Sequence, residues 1–146
     1  MGSPHVENPV TDYRYGLAQP DDVAEKTGRE ILQAVGDGFA AFEGEPGPHL
    51  LNPTGGVHGG WALTLIDSVV GCAGHSLLPA GAGYTTIETK GNFSRPIARD
   101  TGRVRAEGHA VAQGRQIISA EARVLAADGR VLAHGTSTLL VLNGAR

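Results

Sequence analysis

One long apolar segment, followed by a series of alternating segments, constrains the fold of this chain more than any other feature. Most residues in 60–78 are apolar, and Pro79 and Gly81 follow them. Apolar residues on most sides of a helical segment predict a helix that is buried on more than one face. Gly71 and Gly74 are poor helix formers, and we expect them to allow close approach of another backbone.

The chain beyond this helix alternates between apolar and polar residues in the manner of β-strands. Asp128-Gly129 is a hairpin turn signal within this part of the chain. Strands joined by such short turns pair antiparallel. The predicted strands are 84–93, 102–112, 117–125 and 131–142.

The segment before the helix is ambiguous, because residues 29–46 fit either helical spacing or two strands. The turn signal Asp37-Gly38 favours strands at 30–36 and 38–46, with a loop over 46–58. The predicted fold class is therefore α+β, with a curved antiparallel sheet of five to six strands wrapped around one long central helix.

Composition limits the function classes that remain. A length of 146 residues with 40% hydrophobic residues predicts one domain at 21–146, beginning with a short helix, after a flexible N-terminal arm at 1–20. A net charge of -3 argues against nucleic-acid binding. The chain has no apolar run of roughly 18 residues, no apolar signal core and a single cysteine, so we expect no membrane span and a cytoplasmic location.

Asp67 is the carboxylate that stands out, because it lies two turns inside the apolar helix. Thr64, Ser68 and Gly71 lie close to it around the helix. Periodicity alone therefore allows either a narrow solvated stripe or a site at this position. In a site, the carboxylate could act as a general base on water or as a nucleophile on a carbonyl carbon.

A glycine-rich loop, residues 52–60, leads directly into this helix. Backbone N–H groups at a helix start can hold developing negative charge, so the Gly59 or Gly60 amide is a candidate oxyanion donor. The same loop could also simply start the helix. His58 is either a base or a side chain that bonds the loop backbone, and Asn52 either positions a reactant or is a turn residue.

No cofactor or metal is expected, since the chain has no dinucleotide or P-loop motif, and it also lacks the GxSxG motif of a serine nucleophile. Cys72 lies in the apolar helix without an activating pattern, which predicts an inert buried thiol. Metal-ligand spacing is lacking among the other histidines, which are His5, His49, His75, His109 and His134.

The order and spacing of these motifs resemble the hotdog-fold acyl-CoA thioesterases, and within them the phenylacetate-pathway (PaaI-like) branch. The resemblance covers about residues 30–142. It begins with Asn52-Pro-x-Gly-x-x-His58-Gly59-Gly60 and has Asp67 seven residues beyond Gly60. It continues through Tyr84-Thr85-Thr86-Ile87-Glu88, Asn92-Phe93-Ser94-Arg95-Pro96, Gly114-Arg115 and the segment 128–135.

The resemblance implies hydrolysis of an acyl-CoA thioester by a homodimer or homotetramer whose active site lies between subunits. It implies that Asp67 is the catalytic carboxylate and that the Gly59 N–H donates to the thioester oxygen. Asn52 would help to position water or the thioester, and Thr86 of the other subunit would orient the carboxylate or the water. Candidate substrate-binding residues are His58, Gly60, Trp61, Tyr84, Arg95 and Arg115.

Three other functions compete with hydrolysis. The same fold could bind or sense an acyl-CoA without cleaving it. It could also be a hotdog enoyl-CoA hydratase, although those enzymes use an Asp–His pair in a different loop–helix pattern. A purely structural or partner-binding domain ranks last. The acyl group is left open between aromatic and medium-chain, because the candidate pocket residues are apolar.

Overall fold

The computed structural model describes residues 31–142, where an antiparallel sheet of six strands curls around a single long helix. The helix, α1, spans Gly59–His75. In chain order the strands are β1 (Ile31–Gly36), β2 (Phe39–Gly44), β3 (Gly83–Phe93), β4 (Val104–Gln113), β5 (Ile117–Ala126) and β6 (Val131–Leu142). The predicted α+β class, with a sheet of five to six strands around one central helix, is confirmed. The predicted arm at 1–20 and the short helix after it lie outside the described residues.

The sheet has the order β1-β2-β4-β5-β6-β3, so β3 forms one edge. The first hairpin resolves the ambiguity at residues 29–46 in favour of two strands. Asp37 and Gly38 connect β1 to β2 with φ values of 52° and 78°. Positive φ at both central residues is the requirement of the hairpin turn that Asp-Gly predicts.

The helix ends three residues earlier than the predicted limit of 78. The N–H of Ser76 donates to the carbonyl of Cys72, and its hydroxyl donates to the carbonyl of Ala73. The next two N–H groups, of Leu77 and Leu78, bond to carbonyls only three residues back. A local side-chain bond and a tightened final turn therefore end α1 before Pro79.

The core lies between α1 and the concave face of the sheet. Gly108 of β4 allows the helix backbone to pack closely on the sheet, because an added Cβ atom would lie 2.7 Å from the carbonyl oxygen of Val69. The largest fully buried side chains of the core are Leu65, Ile66, Ile118, Leu139, Val69, Val70, Val104 and Val124. Within residues 31–142, no helix has the length and apolarity to cross a membrane.

The two helix glycines do not serve the purpose predicted for them. The nearest atoms to an added Cβ at Gly71 belong to the ring and hydroxyl of Tyr84, and those at Gly74 belong to Leu139 and Ile118. The prediction that these glycines admit another backbone is wrong. They admit large side chains from the sheet, which fill the space that a helix side chain would otherwise occupy.

A β-bulge interrupts β3 at Ile87. Thr86 lies opposite Leu139 of β6, whereas Glu88 lies opposite the adjacent Thr138, so Ile87 has no partner of its own. The extra residue changes which side chains of β3 share a face with the buried residues of β6. On that face are Tyr84, Thr86, Thr89, Gly91 and Phe93.

Candidate active site

The candidate site is the strip of surface where α1 borders the edge strand β3, which we call the groove. Every fourth residue of the helix lies on the face that borders β3, and these are Gly59, Leu63, Asp67 and Gly71. Their neighbours on β3, in the same order, are Phe93, Gly91, Thr89 and Tyr84. Four helical residues advance about 6 Å and two strand residues advance about 6.6 Å, so the two elements stay in step from Gly59 to Asp67. The step from Thr89 to Tyr84 is five residues, because it crosses the bulge at Ile87.

Asp67 lies midway along this groove, and its side chain is exposed in the single chain. The hydroxyl of Thr89 lies 3.3 Å from Oδ1 of Asp67 and donates a hydrogen bond to it. The same hydroxyl lies 2.5 Å from the hydroxyl of Ser137, which is buried on β6. Periodicity left open either a solvated stripe or a site at Asp67. The structure shows an exposed carboxylate that makes a polar contact and lies beside an open sheet edge.

No side chain caps the N-terminus of α1 by a hydrogen bond to its first backbone N–H groups. His58 is the N-cap residue, its side chain is exposed, and it makes no capping hydrogen bond. The first N–H groups of a helix have no acceptor within the helix, which leaves those of Gly59 and Gly60 available to a ligand. Gly60 is exposed, whereas Gly59 is partly covered by the ring of Phe93.

Asn52 holds the loop that precedes the helix. Its side-chain oxygen accepts three hydrogen bonds, from the N–H of Thr54 at 3.0 Å, the hydroxyl of Thr54 at 2.7 Å and the N–H of Gly56 at 3.1 Å. Its backbone N–H and carbonyl also bond within the loop. The Oδ1 atom is thus occupied by loop contacts, which leaves the Nδ2 amide as the polar group with which Asn52 could meet a reactant.

The remaining threonine and tyrosine candidates lie on the same strand. Thr86 is half-buried and faces α1 from beyond the bulge, but the hydroxyl that contacts Asp67 within the chain belongs to Thr89. Tyr84 is also half-buried, and its ring lies 5.4 Å from that of His75, centroid to centroid. Tyr84 and Gly71 therefore border the far end of the groove.

Three other substrate-binding candidates lie away from Asp67. Trp61 is buried in the core. Arg95 is exposed and donates from Nη1 to the carbonyl of Val131 at 2.7 Å, at the start of β6. Arg115 is exposed in the turn before β5, next to the residue that bonds Val141 near the end of β6. Because β6 is roughly 35 Å long, these two arginines of one chain lie at opposite ends of the sheet.

The single thiol is not a candidate nucleophile. Cys72 is buried, and this burial raises the pKa of its thiol to about 12. A thiol with so high a pKa is not ionised at neutral pH. Among the described residues, no group of three or more His, Cys, Asp or Glu side chains is arranged to hold a metal ion.

Within one chain, the two candidate catalytic groups are well separated. Gly59 and Asp67 are eight residues apart on a continuous helix, which corresponds to about 12 Å along its axis. Hydrogen bonds and reacting atoms require separations of about 3 Å. A single carbonyl group therefore cannot contact the Gly59 amide and the Asp67 carboxylate of the same chain.

Comparison with known proteins supplies the class of enzyme. The family model of the thioesterase superfamily matches residues 54–133, more than half of the chain. The chain belongs to the thioesterase superfamily. The matched residues include α1, β3, β4, β5 and the beginning of β6, so they contain the whole groove except Ser137. No protein with a curated description matches the sequence.

Solved structures similar to this thioesterase carry the same fold. A conserved protein from Pseudomonas aeruginosa has a TM-score of 0.77 at 29% identity, over 89% of this chain and 99% of that one. A phenylacetic acid degradation-related thioesterase from Ralstonia eutropha JMP134 has a TM-score of 0.72 at 26% identity, over 86% and 94%. A hypothetical thioesterase protein from Streptococcus pneumoniae TIGR4, solved with coenzyme A, has 0.72 at 25% identity, over 81% and 91%.

The family match and the wrapped helix together confirm the hotdog fold and the enzyme class that the sequence resemblance implied. Two residues of the thioesterase groove were absent from the sequence-based candidates, namely Thr89 and Ser137. The signal that could have found Thr89 is its spacing of two from Gly91 and four from Phe93, since glycine in a strand often marks close approach of another element.

Proposed function

We propose that this thioesterase hydrolyses an acyl-CoA thioester to the free acid and CoA, with Asp67 as the catalytic carboxylate. The observation that carries the proposal is the exposed Asp67 side chain on the helix face beside β3, held by a hydroxyl 3.3 Å away. Membership of the thioesterase superfamily and the similarity to a protein solved with coenzyme A support the substrate class.

The active site is built from two copies of the chain. The separation of about 12 Å between Gly59 and Asp67 along the helix axis excludes one carbonyl from contacting both groups in one subunit. The Gly59 amide of one subunit therefore serves the Asp67 carboxylate of its partner. Such a site lies between subunits, as the family resemblance implied.

The edge strand β3 is the surface through which the two copies pair. It has 11 residues, and at an open edge its backbone N–H and C=O groups are free to bond to another strand. Ile87 and Phe93 on this strand are each 55% exposed, so two large apolar side chains accompany the open edge. Pairing of β3 with the β3 of a second copy extends the sheet and encloses the groove that contains Asp67. Dimers of dimers follow from the family resemblance.

Hydrolysis then uses groups that the fold already holds in place. The thioester oxygen accepts a hydrogen bond from the Gly59 N–H at the positive end of the helix dipole. Asp67 either removes a proton from water, which adds to the carbonyl carbon, or adds to that carbon itself before water releases the acid. In both routes the C–S bond breaks, and CoA leaves as the thiolate and takes up a proton. Asn52 and Thr86 position the water or the thioester.

The far end of the groove receives the acyl group. Tyr84 fills the space beside Gly71 and borders His75, so an aromatic or medium-chain acyl group would meet aromatic surface there. The similarity to a phenylacetic acid degradation-related protein is consistent with the PaaI-like branch. Arg95 and Arg115 stay candidates for contact with the CoA phosphates, but because they lie at opposite ends of the sheet, one subunit can supply only one of them to a given CoA. A cytoplasmic location completes the proposal, supported by a single buried cysteine.

The test is release of free CoA from a panel of aromatic and aliphatic acyl-CoAs by the wild-type protein and by Asp67→Asn. We expect kcat to fall at least a hundredfold, within the range of general-base effects. Glu121→Gln removes an exposed carboxylate from β5, outside the groove, and is the matched control with expected wild-type turnover.

Three results would contradict the proposal. Unchanged turnover of Asp67→Asn would remove Asp67 from the mechanism. An acyl-CoA that binds to the wild-type protein but stays intact would favour a binding or sensing module, and hydration of an enoyl-CoA without CoA release would favour a hydratase. The wild-type panel with both assays therefore separates the three functions.

A further inference from the structure

We propose that Ser137 and Thr89 form a hydroxyl relay that fixes the orientation of the Asp67 carboxylate within its own subunit. The proposal rests on the proposed function, because it assigns positioning residues to the same carboxylate. Neither residue is part of the glycine loop or of the candidate set that the sequence supplied. The two residues of the relay lie on β3 and β6, on the face of the sheet that borders α1.

The first observation is the burial of Ser137. Its relative exposure is 2%, and it occupies the inward row of β6 with Ala133, Gly135 and Leu139. A hydroxyl in such a row has a large desolvation cost unless a partner accepts or donates a hydrogen bond. The hydroxyl of Thr89, directly opposite on β3, lies 2.5 Å away and satisfies it.

The second observation fixes the direction of the hydrogen bonds. An ionised carboxylate has only acceptor atoms, so the contact between Thr89 Oγ1 and Asp67 Oδ1 uses the Thr89 proton. Thr89 has one proton, and its oxygen then accepts from Ser137. The chain therefore runs from Ser137 to Thr89 to Asp67. Donation to Thr89 increases the ability of Thr89 to donate onward, because linked hydrogen bonds polarise one another.

The third observation is the β-bulge at Ile87, which brings two threonines to the same face of β3. Thr89 and Thr86 both face α1, although an unbroken strand would point residues of odd and even number to opposite faces. Thr89 contacts Asp67 of its own subunit. Thr86 is then the threonine that acts on the carboxylate or the water of the partner subunit. The two hydroxyls therefore have different roles.

A positioned carboxylate affects the reaction more than it affects binding. Asp67 must point one oxygen at water or at the carbonyl carbon, and the bond to Oδ1 restricts rotation of the carboxylate. Removal of the relay should therefore lower kcat and leave KM much less changed. A hydroxyl pair that only fills the core would change stability instead, without a selective effect on kcat.

The experiment compares Thr89→Val, Thr89→Ser and Ser137→Ala by steady-state kinetics with the best acyl-CoA of the panel. Thr89→Val keeps the side-chain shape and removes the hydroxyl, and we expect kcat to fall about tenfold to a hundredfold, as misplacement of a reacting group does. For Ser137→Ala, kcat should decrease by a smaller factor. Thr89→Ser should restore most of kcat. Thr138→Val is the matched control, because its hydroxyl donates to Glu88 at 3.2 Å in a similar pair of the same two strands.

A double-mutant cycle separates positioning from folding. In the Asp67→Asn background, Thr89→Val should cause little further loss of kcat, because the carboxylate that it orients is already gone. The relay is overturned if Thr89→Val and Ser137→Ala leave kcat unchanged, if Thr89→Ser fails to restore it, or if the losses are additive with Asp67→Asn. The proposed function fails separately, through unchanged turnover of Asp67→Asn alone. Ser137→Ala also tests the relay if Thr89→Val does not fold.

Discussion

The ring of Phe93 packs so closely against the backbone of Gly59 that a Cβ atom at residue 59 would lie 3.0 Å from Cζ of the phenylalanine. This contact joins the start of α1 to the end of the edge strand. Phe93 is nevertheless 55% exposed, so its ring can turn or shift outward. The amide that we propose as the oxyanion donor therefore sits beneath an aromatic side chain at the proposed dimer edge.

Gly59→Pro and Gly59→Ala form a matched pair that tests this amide. Both add a Cβ atom next to Phe93, but only proline removes the N–H. Proline is accepted at the first position of a helix, and the preceding His58, with ψ of 132°, has the extended conformation that proline requires. We expect kcat to fall about a hundredfold to a thousandfold for proline and to change little for alanine. Equal losses in both variants would assign the effect to crowding of Phe93.

Mixing of two inactive variants tests whether the site spans two subunits. A hybrid dimer of Asp67→Asn and Gly59→Pro has one site with both groups intact if each site takes Asp67 from one copy and Gly59 from the other. Denaturation and joint refolding of the two variants should therefore restore turnover. If each site used both groups of one copy, every site in the hybrid would keep one defect, and the mixture would stay as inactive as its parents.

Ile87→Lys tests the dimer edge. A charge on β3 opposes pairing with a second β3, so we expect a shift to monomer and a loss of turnover in parallel. Sedimentation velocity measures the first and CoA release measures the second. Val111→Lys places the same charge on β4 at an apolar residue that is 64% exposed, and it should leave the dimer intact. Dimers in both variants would exclude β3 as the pairing surface.

Cys72 predicts a specific loss of stability at alkaline pH. Burial raises the thiol pKa from 9.0 to about 12, so between these pH values the folded state keeps a proton that the unfolded state has lost. The stabilising contribution of the protonated thiol is thus present below pH 9 and decreases as pH rises toward 12. Cys72→Ala should reduce the slope of unfolding free energy against pH by up to about 1.4 kcal/mol per pH unit. Equal slopes for the two proteins in urea unfolding would contradict this.

The thiol also gives a simple chemical test of the fold. With one cysteine in the chain, a thiol reagent at pH 8 should not react with the native protein and should titrate one equivalent after denaturation. This result would agree with the buried location of Cys72 on α1. Rapid reaction of the native protein would place the residue at the surface and contradict the packing described above.

Sequence patterns predicted the strands well where alternation and turn signals agree. The boundaries of β6 match the predicted 131–142, and the Asp37-Gly38 signal located the first hairpin, because its turn needs positive φ. The end of α1 was predicted three residues late, since composition identifies Pro79 as a stop but does not reveal that the Ser76 side chain bonds the helix backbone first.

Thr89 was missed for a different physical reason. Alternation that includes both Tyr84 and Thr86 on the inner face predicts that Thr89 faces outward. The bulge at Ile87 reverses that phase, and nothing in the local residue types marks it. Ser137 was missed because the sequence does not show whether a serine in a strand is buried and hydrogen-bonded. Only the pairing of β6 with β3 reveals its partner. Asp67 was singled out from the sequence because a carboxylate in an apolar helix is unusual regardless of its partners, and its catalytic role stays a prediction.

The extra residue at position 87 has a consequence for transferring roles between homologues. Counting back from Pro96, the inward residues of β3 are the third, fifth and seventh, but the next one is Thr86, the tenth. A relative whose strand is unbroken would present its ninth residue there instead. Equivalences drawn by residue number hold on one side of the insertion and slip by one on the other, so the two halves of this strand have to be superposed independently.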